Sequence, residues 1–251
     1  MVLKEEELWE LKRMNLGQKI GKIKTRRSFP ALRYGNENYA TTYNFPMRIK
    51  LWDWVAPKEK EEEWAGWNLE GFIRCAKELE KEGVSAIVSS CGLTGTLQPD
   101  VVNAVDVPVV TSSLLQVPIV SRMISKDKKV GILTASAERC LTQNSRLLRN
   151  VGIDESISIA IVGMDQPKYT DIFRTQFARD SSKYNPKKVE EVMVAAAKEL
   201  VSMGKIGAIV LECTEMPLYA AAIQEATGLP VFDGVGLTNY LYNAVVKKRY
   251  F

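Results

Sequence analysis

Short apolar runs and longer amphipathic segments alternate along most of this chain. The runs predict strands at 17–25, 84–90, 107–113, 130–134, 156–162, 206–211 and 229–232, and one that ends within 52–57. The amphipathic segments predict helices at 3–14, 58–82, 99–105, 114–124, from after 136 to about 150, 186–203, 217–226 and 237–247. Strands that alternate with helices in this way indicate parallel sheets flanked by helices, and therefore an α/β fold.

The pattern also contains an internal repeat. Ala-Ile-Val-x-x-Cys occurs at 86–91 and again at 208–213, an offset of 122 residues (213 − 91). Ala-Lys-Glu-Leu at 76–79 recurs at 197–200, and Val-Pro-Val-Val at 107–110 corresponds to Leu-Pro-Val-Phe at 229–232. A nearly constant offset across a helix and two strands is typical of a duplicated half-domain. We therefore expect two similar lobes.

Two segments interrupt the alternation. Residues 26–48 contain two prolines, a glycine and three asparagines, which predict a long irregular segment. Its five aromatic residues argue against disorder, and a long loop in a compact domain is often functional. Residues 163–186 are expected to form a second variable segment.

Composition and charge exclude several classes of function. The 34 basic and 30 acidic residues are mixed along the chain, and no nucleic-acid-binding motif accompanies the short basic runs, so we expect no nucleic-acid partner. The sequence has no apolar run of about 18 residues, which predicts no membrane span. Its charged first residues do not resemble a signal peptide. Four cysteines without paired spacing fit a reducing compartment, so we expect a cytoplasmic protein.

Histidine is absent from the sequence. This removes the commonest general base, the usual partner of a nucleophilic Ser or Cys, and the commonest zinc ligand. There is also no Gly-x-x-x-x-Gly-Lys-Ser/Thr motif for a nucleotide phosphate. The chemistry must therefore use Cys, Asp, Glu, Lys, Tyr or a cofactor.

Cys91 and Cys213 follow the two copies of the repeated strand. Ligands of open parallel sheets bind outside the carboxyl ends of the strands, so lobes that face each other about a pseudo-two-fold axis would bring both cysteines to one cleft. One sulfur would remove an α-proton and the other would return a proton to the opposite face, which predicts inversion at that carbon. The hydroxyls expected to hold the substrate carboxylate are those of Ser90, Thr94, Thr111, Ser112 and Thr214.

Other interpretations of the two cysteines stay open. Both would be packing residues if the repeat had inherited a buried cysteine, although Ser89, Ser90 and Glu212 are polar neighbours. A disulfide between them would be a reversible oxidation rather than a structural link. Zinc binding is disfavoured, since the cysteines lack Cys-x-x-Cys spacing.

Four motifs carry a family resemblance that covers about residues 18–245. They are Ser-Ser-Cys-Gly (89–92), Thr-Ser-Ser-Leu-Leu-Gln-Val-Pro (111–118), Val-Gly-Ile-Leu-Thr-Ala (130–135) and Leu-Glu-Cys-Thr-Glu-Met-Pro (211–217). With these motifs the chain resembles the aspartate/glutamate racemase superfamily. That cofactor-independent group includes aspartate, glutamate and hydantoin racemases, arylmalonate decarboxylase and maleate isomerase.

The resemblance implies an architecture of two Rossmann-like lobes with parallel sheets, related by pseudo-two-fold symmetry, and an active site in the cleft between them. We expect the first lobe to span 1–115, with an extension at about 1–17, and to be completed by the C-terminal helix 234–251. The second lobe is expected to span 116–233.

The resemblance also implies that Cys91 and Cys213 are the catalytic acid/base pair, with no cofactor and no metal. The expected substrate-binding residues are Asn36, Ser90, Gly92, Thr94, Thr111, Ser112, Ser113, Thr134, Thr214 and Glu215. An acidic substrate side chain would need a cation, and the candidates are Arg33, Arg48, Lys168 and Arg174.

The sequence is therefore interpreted as a cofactor-independent racemase of an amino acid or a related carboxylate, and we expect a homo-oligomer, with a dimer the commonest assembly. One alternative enzyme is maleate-isomerase-like or decarboxylase-like and uses one cysteine as a nucleophile or proton donor. An alternative outside enzymes is a two-lobed sensor that binds a small ligand and packs both cysteines.

Overall fold

The computed structural model describes residues 17, 19–25, 34–53, 68–141, 146–177 and 183–249. Within these ranges the chain forms two parallel four-stranded sheets, with strand orders β2-β1-β3-β4 and β6-β5-β7-β8. The strands are β1 (Ile20–Thr25), β2 (Met47–Trp52), β3 (Ala86–Ser89), β4 (Val109–Val110), β5 (Lys129–Thr134), β6 (Ile159–Gly163), β7 (Ile206–Leu211) and β8 (Val231–Phe232).

Helices connect the strands. The α-helices are α1 (Leu69–Lys81), α2 (Gln98–Val102), α3 (Val117–Ser121), α4 (Ala137–Leu141), α5 (Arg146–Asn150), α6 (Pro167–Phe173), α7 (Pro186–Ser202), α8 (Ala220–Thr227) and α9 (Gly234–Val245). Short 3₁₀-helices lie at Ala40–Thr42, Gly92–Leu97, Ser113–Gln116, Arg174–Phe177 and Met216–Tyr219.

The two sheets repeat the same pairing. In the first sheet Ile87 pairs with Val109, and in the second Ile209 pairs with Val231, so both members of the pair are displaced by 122 residues (209 − 87 and 231 − 109). The strand order is also the same in both sheets. The predicted α/β class and the two similar lobes with parallel sheets are confirmed.

The sheet of the first lobe is buried on both faces, and successive residues of a strand point to opposite faces. On one face Ile23 packs with Phe72 and Leu79 of α1. On the other face Ile20 packs with Tyr43, Phe45 and residues of α9, among other side chains. A sheet that is covered on both sides explains why β3 is apolar almost throughout.

The second sheet is enclosed in the same way. Leu133 and Leu211 face a core that includes α7, whose apolar side chains Val189, Met193 and Leu200 are fully buried. Val130 and Val210 face the opposite core, which includes α3 and α5. The cores of the second lobe are built almost entirely from residues between Leu114 and Phe232.

Helix α9 lies on the first lobe although it follows the second lobe in the chain. Leu241 belongs to the same buried cluster as Ile20, and the ring of Tyr242 stacks on that of Phe45 with 3.8 Å between centroids. The helix begins after Asp233, whose carboxylate accepts a hydrogen bond of 2.7 Å from the Gly236 N–H. This cap fixes the first turn of α9, which lies at the cleft.

The structure corrects several predicted elements. Strand β2 begins at Met47, inside the segment expected to be irregular, and ends at Trp52. The variable segment 163–186 contains helix α6 and a 3₁₀-helix, because Pro167 opens the helix and Tyr169 and Phe173 are buried in the core. Of the helix expected up to residue 150, the structure describes Ala137–Leu141 (α4) and Arg146–Asn150 (α5), and residues 142–145 lie outside the described ranges.

Two predicted helical stretches cannot be compared with the described residues. The helix expected at 3–14 and the first part of the helix expected at 58–82 lie outside the described residues. In the part of the chain that is described, no helix combines the length and the apolar composition that a bilayer crossing requires.

The stacking of Phe45 on Tyr242 gives a test of how α9 is held. We expect Phe45→Ala and Tyr242→Ala to show a coupling free energy of about 0.5–1.5 kcal/mol in a double-mutant cycle measured by urea unfolding. Tyr240 is 70% exposed on the same helix and supplies the matched control. Tyr240→Ala should add to Phe45→Ala without coupling, and additivity in both cycles would contradict the stacking contact.

Candidate active site

Cys91 lies in the turn that joins β3 to a 3₁₀-helix. Its carbonyl oxygen accepts hydrogen bonds from the Thr94 N–H at 3.1 Å and the Thr94 hydroxyl at 2.5 Å. Its own N–H donates to the Ser89 hydroxyl at 3.3 Å. These bonds fix the backbone on both sides of the thiol, which is a free cysteine of intermediate exposure.

Cys213 occupies the equivalent turn after β7. Its carbonyl oxygen accepts from the Met216 N–H at 3.0 Å, and the residue packs partly buried against the core of the second lobe. Burial raises the pKa of its thiol well above the usual value, and the negative charges of Glu212 and Glu215 raise it further. Cys213 is therefore protonated at neutral pH.

The two turns meet across the cleft. Gly92, next to Cys91, approaches Glu212, next to Cys213, so closely that a Cβ atom on Gly92 would overlap the Glu212 carbonyl oxygen and carboxylate. From the same side the Ser113 hydroxyl donates to the Leu211 carbonyl oxygen at 2.7 Å. Because their neighbours touch, the cysteines of the two lobes are brought to one site.

A small cavity lies between the turns. Its volume is about 20 Å³, enough for about one water molecule. Five of the predicted site residues besides Cys91 line it: Gly92, Thr111, Ser112, Ser113 and Thr214. Cys213 is adjacent in the chain to two lining residues, Glu212 and Thr214.

Several hydroxyls expected to bind substrate are engaged within the protein. The Thr111 hydroxyl donates to the Gln98 side-chain oxygen at 2.6 Å, and the Thr94 hydroxyl lies within hydrogen-bond distance of two carbonyl oxygens. The Ser90 hydroxyl accepts from the Thr25 N–H at 3.1 Å, and the Thr134 hydroxyl donates to Glu212 at 2.9 Å. These hydroxyls hold the strand ends in place, and of the four residues Thr111 also lines the cavity.

The described part of the segment expected to be irregular, which begins at residue 34, contacts the second lobe beside the cavity. The Asn36 side-chain amide donates to the Glu215 carboxylate, so these two predicted residues contact each other beside the cavity. The Glu37 N–H donates to the Thr214 carbonyl oxygen at 3.3 Å. Glu37 itself lines the cavity, and sequence reasoning missed it.

Lys22 is the second group that sequence reasoning missed. It is 2% exposed in the middle of β1, its ammonium donates to the Glu37 carbonyl oxygen, and it lies 5.6 Å from the centroid of the Tyr43 ring. A lysine in the interior of a buried strand is the signal that could have found it.

The site carries an excess of buried acids. Burial raises the pKa of Glu215 to about 7 even though Asn36 donates to it, and burial also raises the pKa of Asp233. Burial raises the pKa of Glu37 and lowers that of Lys22, while their mutual attraction opposes both shifts. The environment therefore favours neutral or positively charged groups over a further anion.

The cations proposed for an acidic substrate side chain lie elsewhere. Arg48 pairs with Glu82 at 2.5 Å, and Lys168 pairs with Glu199 at 2.8 Å. Arg174 is exposed on a 3₁₀-helix. Arg33 lies outside the described residues. None of the three described side chains lines the cavity, so the structure assigns no substrate contact to them.

In the described ranges, no group of three or more Cys, Asp or Glu side chains is arranged to hold a metal ion. All four cysteines are free thiols, with Cys75 and Cys140 buried. The chemistry available at the cleft is therefore that of two thiols, several carboxyl groups and one amine.

Comparison with known proteins agrees with this geometry. Residues 39–238 match the model of the Asp/Glu/Hydantoin racemase family, which is most of the chain. The chain belongs to this family. Curated proteins similar to the chain include dimethylsulfoniopropionate lyases, so family membership by itself does not assign the reaction.

One curated relative and two solved structures show which kinds of enzyme the chain is similar to. Dimethylsulfoniopropionate lyase 7 of Emiliania huxleyi (strain CCMP1516) is 31% identical over 177 residues, which are 70% of this chain and 52% of that protein. The chain thus spans about half the length of the curated relatives it matches. Allantoin racemase from Klebsiella pneumoniae has a TM-score of 0.58 at 18% identity, covering 90% of this chain and 87% of that one.

Unliganded arylmalonate decarboxylase has a TM-score of 0.56 at 15% identity and covers 92% of this chain and 94% of that one. At these identities the two solved structures show the shared fold alone.

Burial of Glu215 predicts a pH-dependent stability. Its folded pKa of about 7 lies above the ordinary value of 4.5, so its contribution to the free energy of unfolding is full below pH 4.5 and is lost as the pH rises through 7. Glu215→Gln keeps the acceptor for Asn36 but removes this titration. We expect the variant to gain about 3 kcal/mol relative to wild type between pH 5 and pH 8 in urea unfolding.

The exposed Glu190→Gln on α7 serves as the control, because it removes a carboxylate that is in solvent. It should parallel wild type at every pH. If Glu215→Gln also paralleled wild type, the Glu215 carboxyl group would not be titrating as its burial requires.

Proposed function

We propose that this chain is a cofactor-independent racemase that moves a proton at the α-carbon of a small carboxylate. The observation that supports the proposal is that Cys91 lines the cavity while Cys213 lies in the chain between two of its lining residues, Glu212 and Thr214. Family membership supports it, since the family model is named for racemases.

The two cysteines have different resting roles in this proposal. A two-base racemase needs one thiolate and one thiol, and the raised pKa of Cys213 makes it the thiol. Cys91 is then the base that removes the α-proton, and Cys213 returns a proton to the opposite face. After one turnover Cys91 carries the proton and Cys213 is the thiolate. In this state Cys213 is the base and Cys91 the acid for the other enantiomer.

The substrate carboxylate would be held by the turn beside Cys91. Gly92, Ser112 and Thr214 line the cavity there, and N–H and hydroxyl donors stabilise the charge that spreads into a carboxylate when the α-proton leaves. Closure of the cleft keeps water away, which strengthens these interactions.

A second candidate reaction, β-elimination, is favoured by the buried acids of the site. Cys91 would again take the α-proton, a double bond would form between the α- and β-carbons, and a β-sulfonium group would leave as a neutral sulfide with the bonding electrons. A positively charged leaving group fits an acidic site. The similarity to a dimethylsulfoniopropionate lyase supports this candidate.

Proton NMR in deuterium oxide separates the two reactions. The substrates are L- and D-amino acids, hydantoins, maleate and dimethylsulfoniopropionate, and the proteins are wild type, Cys91→Ala and Cys213→Ala. We expect wild type to incorporate deuterium at an α-carbon with inversion, and both variants to lose inversion by about 10³-fold or more. Vinyl signals without inversion would instead establish the elimination.

Cys75→Ala is the matched control, because it removes a buried thiol on α1 that interacts with the Leu51 carbonyl oxygen and does not line the cavity. It should retain wild-type exchange. Ligand binding by wild type without exchange or elimination, unchanged in Cys91→Ala, would contradict the proposal and favour a sensor.

A further inference from the structure

Glu37 has an acceptor atom that the described part of the protein leaves unused. The residue is 6% exposed, lines the cavity with Cys91 and Thr214, and its Oε1 atom is buried with no hydrogen-bond partner among the described residues. A buried carboxyl oxygen without a hydrogen-bond donor is unfavourable. Its presence in the lining of a cavity is explained by a ligand that pairs with this oxygen.

Glu37 is held rigidly in this position. Its N–H donates to the Thr214 carbonyl oxygen at 3.3 Å, and its carbonyl oxygen accepts from the Lys22 ammonium. Its carboxylate lies against the first residue of α9, where a Cβ atom on Gly234 would overlap both carboxylate oxygens. Contacts from both lobes and from α9 therefore hold Glu37 in the lining of the cavity.

The neighbouring acids are already engaged. Glu215 accepts from Asn36, Asp233 accepts from the Gly236 N–H at 2.7 Å, and Glu212 accepts from the Thr134 hydroxyl at 2.9 Å. These three carboxyl groups all interact electrostatically with Glu37, and Lys22 is the nearby cation that opposes them. Among these four acids, Glu37 is thus the one with a buried acceptor atom available to a ligand.

A dicarboxylate is a poor match for this cavity. The Lys22 ammonium is bound to the Glu37 carbonyl oxygen, and the charge of a second substrate carboxylate would meet the acids around Glu37. Like charges that are buried together repel strongly, because the surroundings screen them little. A group with a positive charge would be attracted at the same place.

We propose that Glu37 is a specificity-determining residue that pairs with an onium group, ammonium or sulfonium, beside the reacting carbon, so that the site selects small monocarboxylates bearing a cation over dicarboxylates. The inference rests on the proposed function for the location of the reacting carbon. It names a substrate class that both candidate reactions share.

Binding to matched ligands tests the pairing. Dimethylsulfoniopropionate and 4-methylpentanoate have nearly the same shape, and only the first carries a positive charge; alanine and isobutyrate form the corresponding ammonium pair. In titration calorimetry at pH 7 we expect wild type to bind the charged member of at least one pair about 10- to 100-fold more tightly. The pair that responds distinguishes a sulfonium from an ammonium substrate. Succinate and aspartate should bind more weakly than that ligand.

Glu37→Gln keeps the size of the side chain and removes its charge. We expect it to reduce the preference for the charged ligand to within about 2-fold, while affinity for the neutral member is retained. Because burial favours the protonated Glu37 in the empty site, cation binding should release a proton from wild type, seen as a buffer-dependent heat that Glu37→Gln lacks. Glu190→Gln, exposed on α7, should behave as wild type.

Retained charge preference in Glu37→Gln, or a wild-type preference for succinate or aspartate, would overturn the inference. The result is separable from the reaction itself. Deuterium exchange with an unaltered preference would refute only the role of Glu37, whereas a lost preference without any exchange or elimination would refute only the proposed function.

Discussion

The close approach of Gly92 to Glu212 is the contact on which the rest of the site depends. Two parallel sheets with the same strand order end at this contact, and a side chain at position 92 would push the lobes apart. Only a residue without a Cβ atom lets the turn after β3 touch the turn after β7. Because position 92 is a glycine, the two turns that carry the cysteines can meet.

Closing the lobes together buries charge, and the burial shapes the chemistry. Glu37, Glu212 and Glu215 are each at most 6% exposed, and Lys22 is 2% exposed. Removal from water favours the protonated forms of Glu37 and Glu215, and burial, together with the charges of Glu212 and Glu215, raises the pKa of the Cys213 thiol. The two turns occupy equivalent positions but differ in charge, because the acidic residues belong to the second turn and to the segment that contacts it.

Much of the fold could be predicted because it depends on local sequence patterns. The repeated strand that ends at each cysteine and the alternation of apolar runs with helices depend on neighbours in sequence. Lys22 and Glu37 are 15 positions apart in the sequence, and the stretch between them has no regular periodicity that would show that they meet. The helix at Pro167–Phe173 was missed for a similar reason, since only tertiary burial of Tyr169 and Phe173 shows which of its faces is apolar.

The position of α9 has a consequence for how the chain folds as it is synthesised. The cores of the second lobe draw almost entirely on residues between Leu114 and Phe232, so they can be buried before the last helix emerges. One face of the first sheet is instead covered by Leu241 and Tyr242, which are made after the second lobe. The lobe that is translated first is therefore the lobe that is completed last, and until then it presents Ile20 and Phe45 to whatever surrounds the nascent chain.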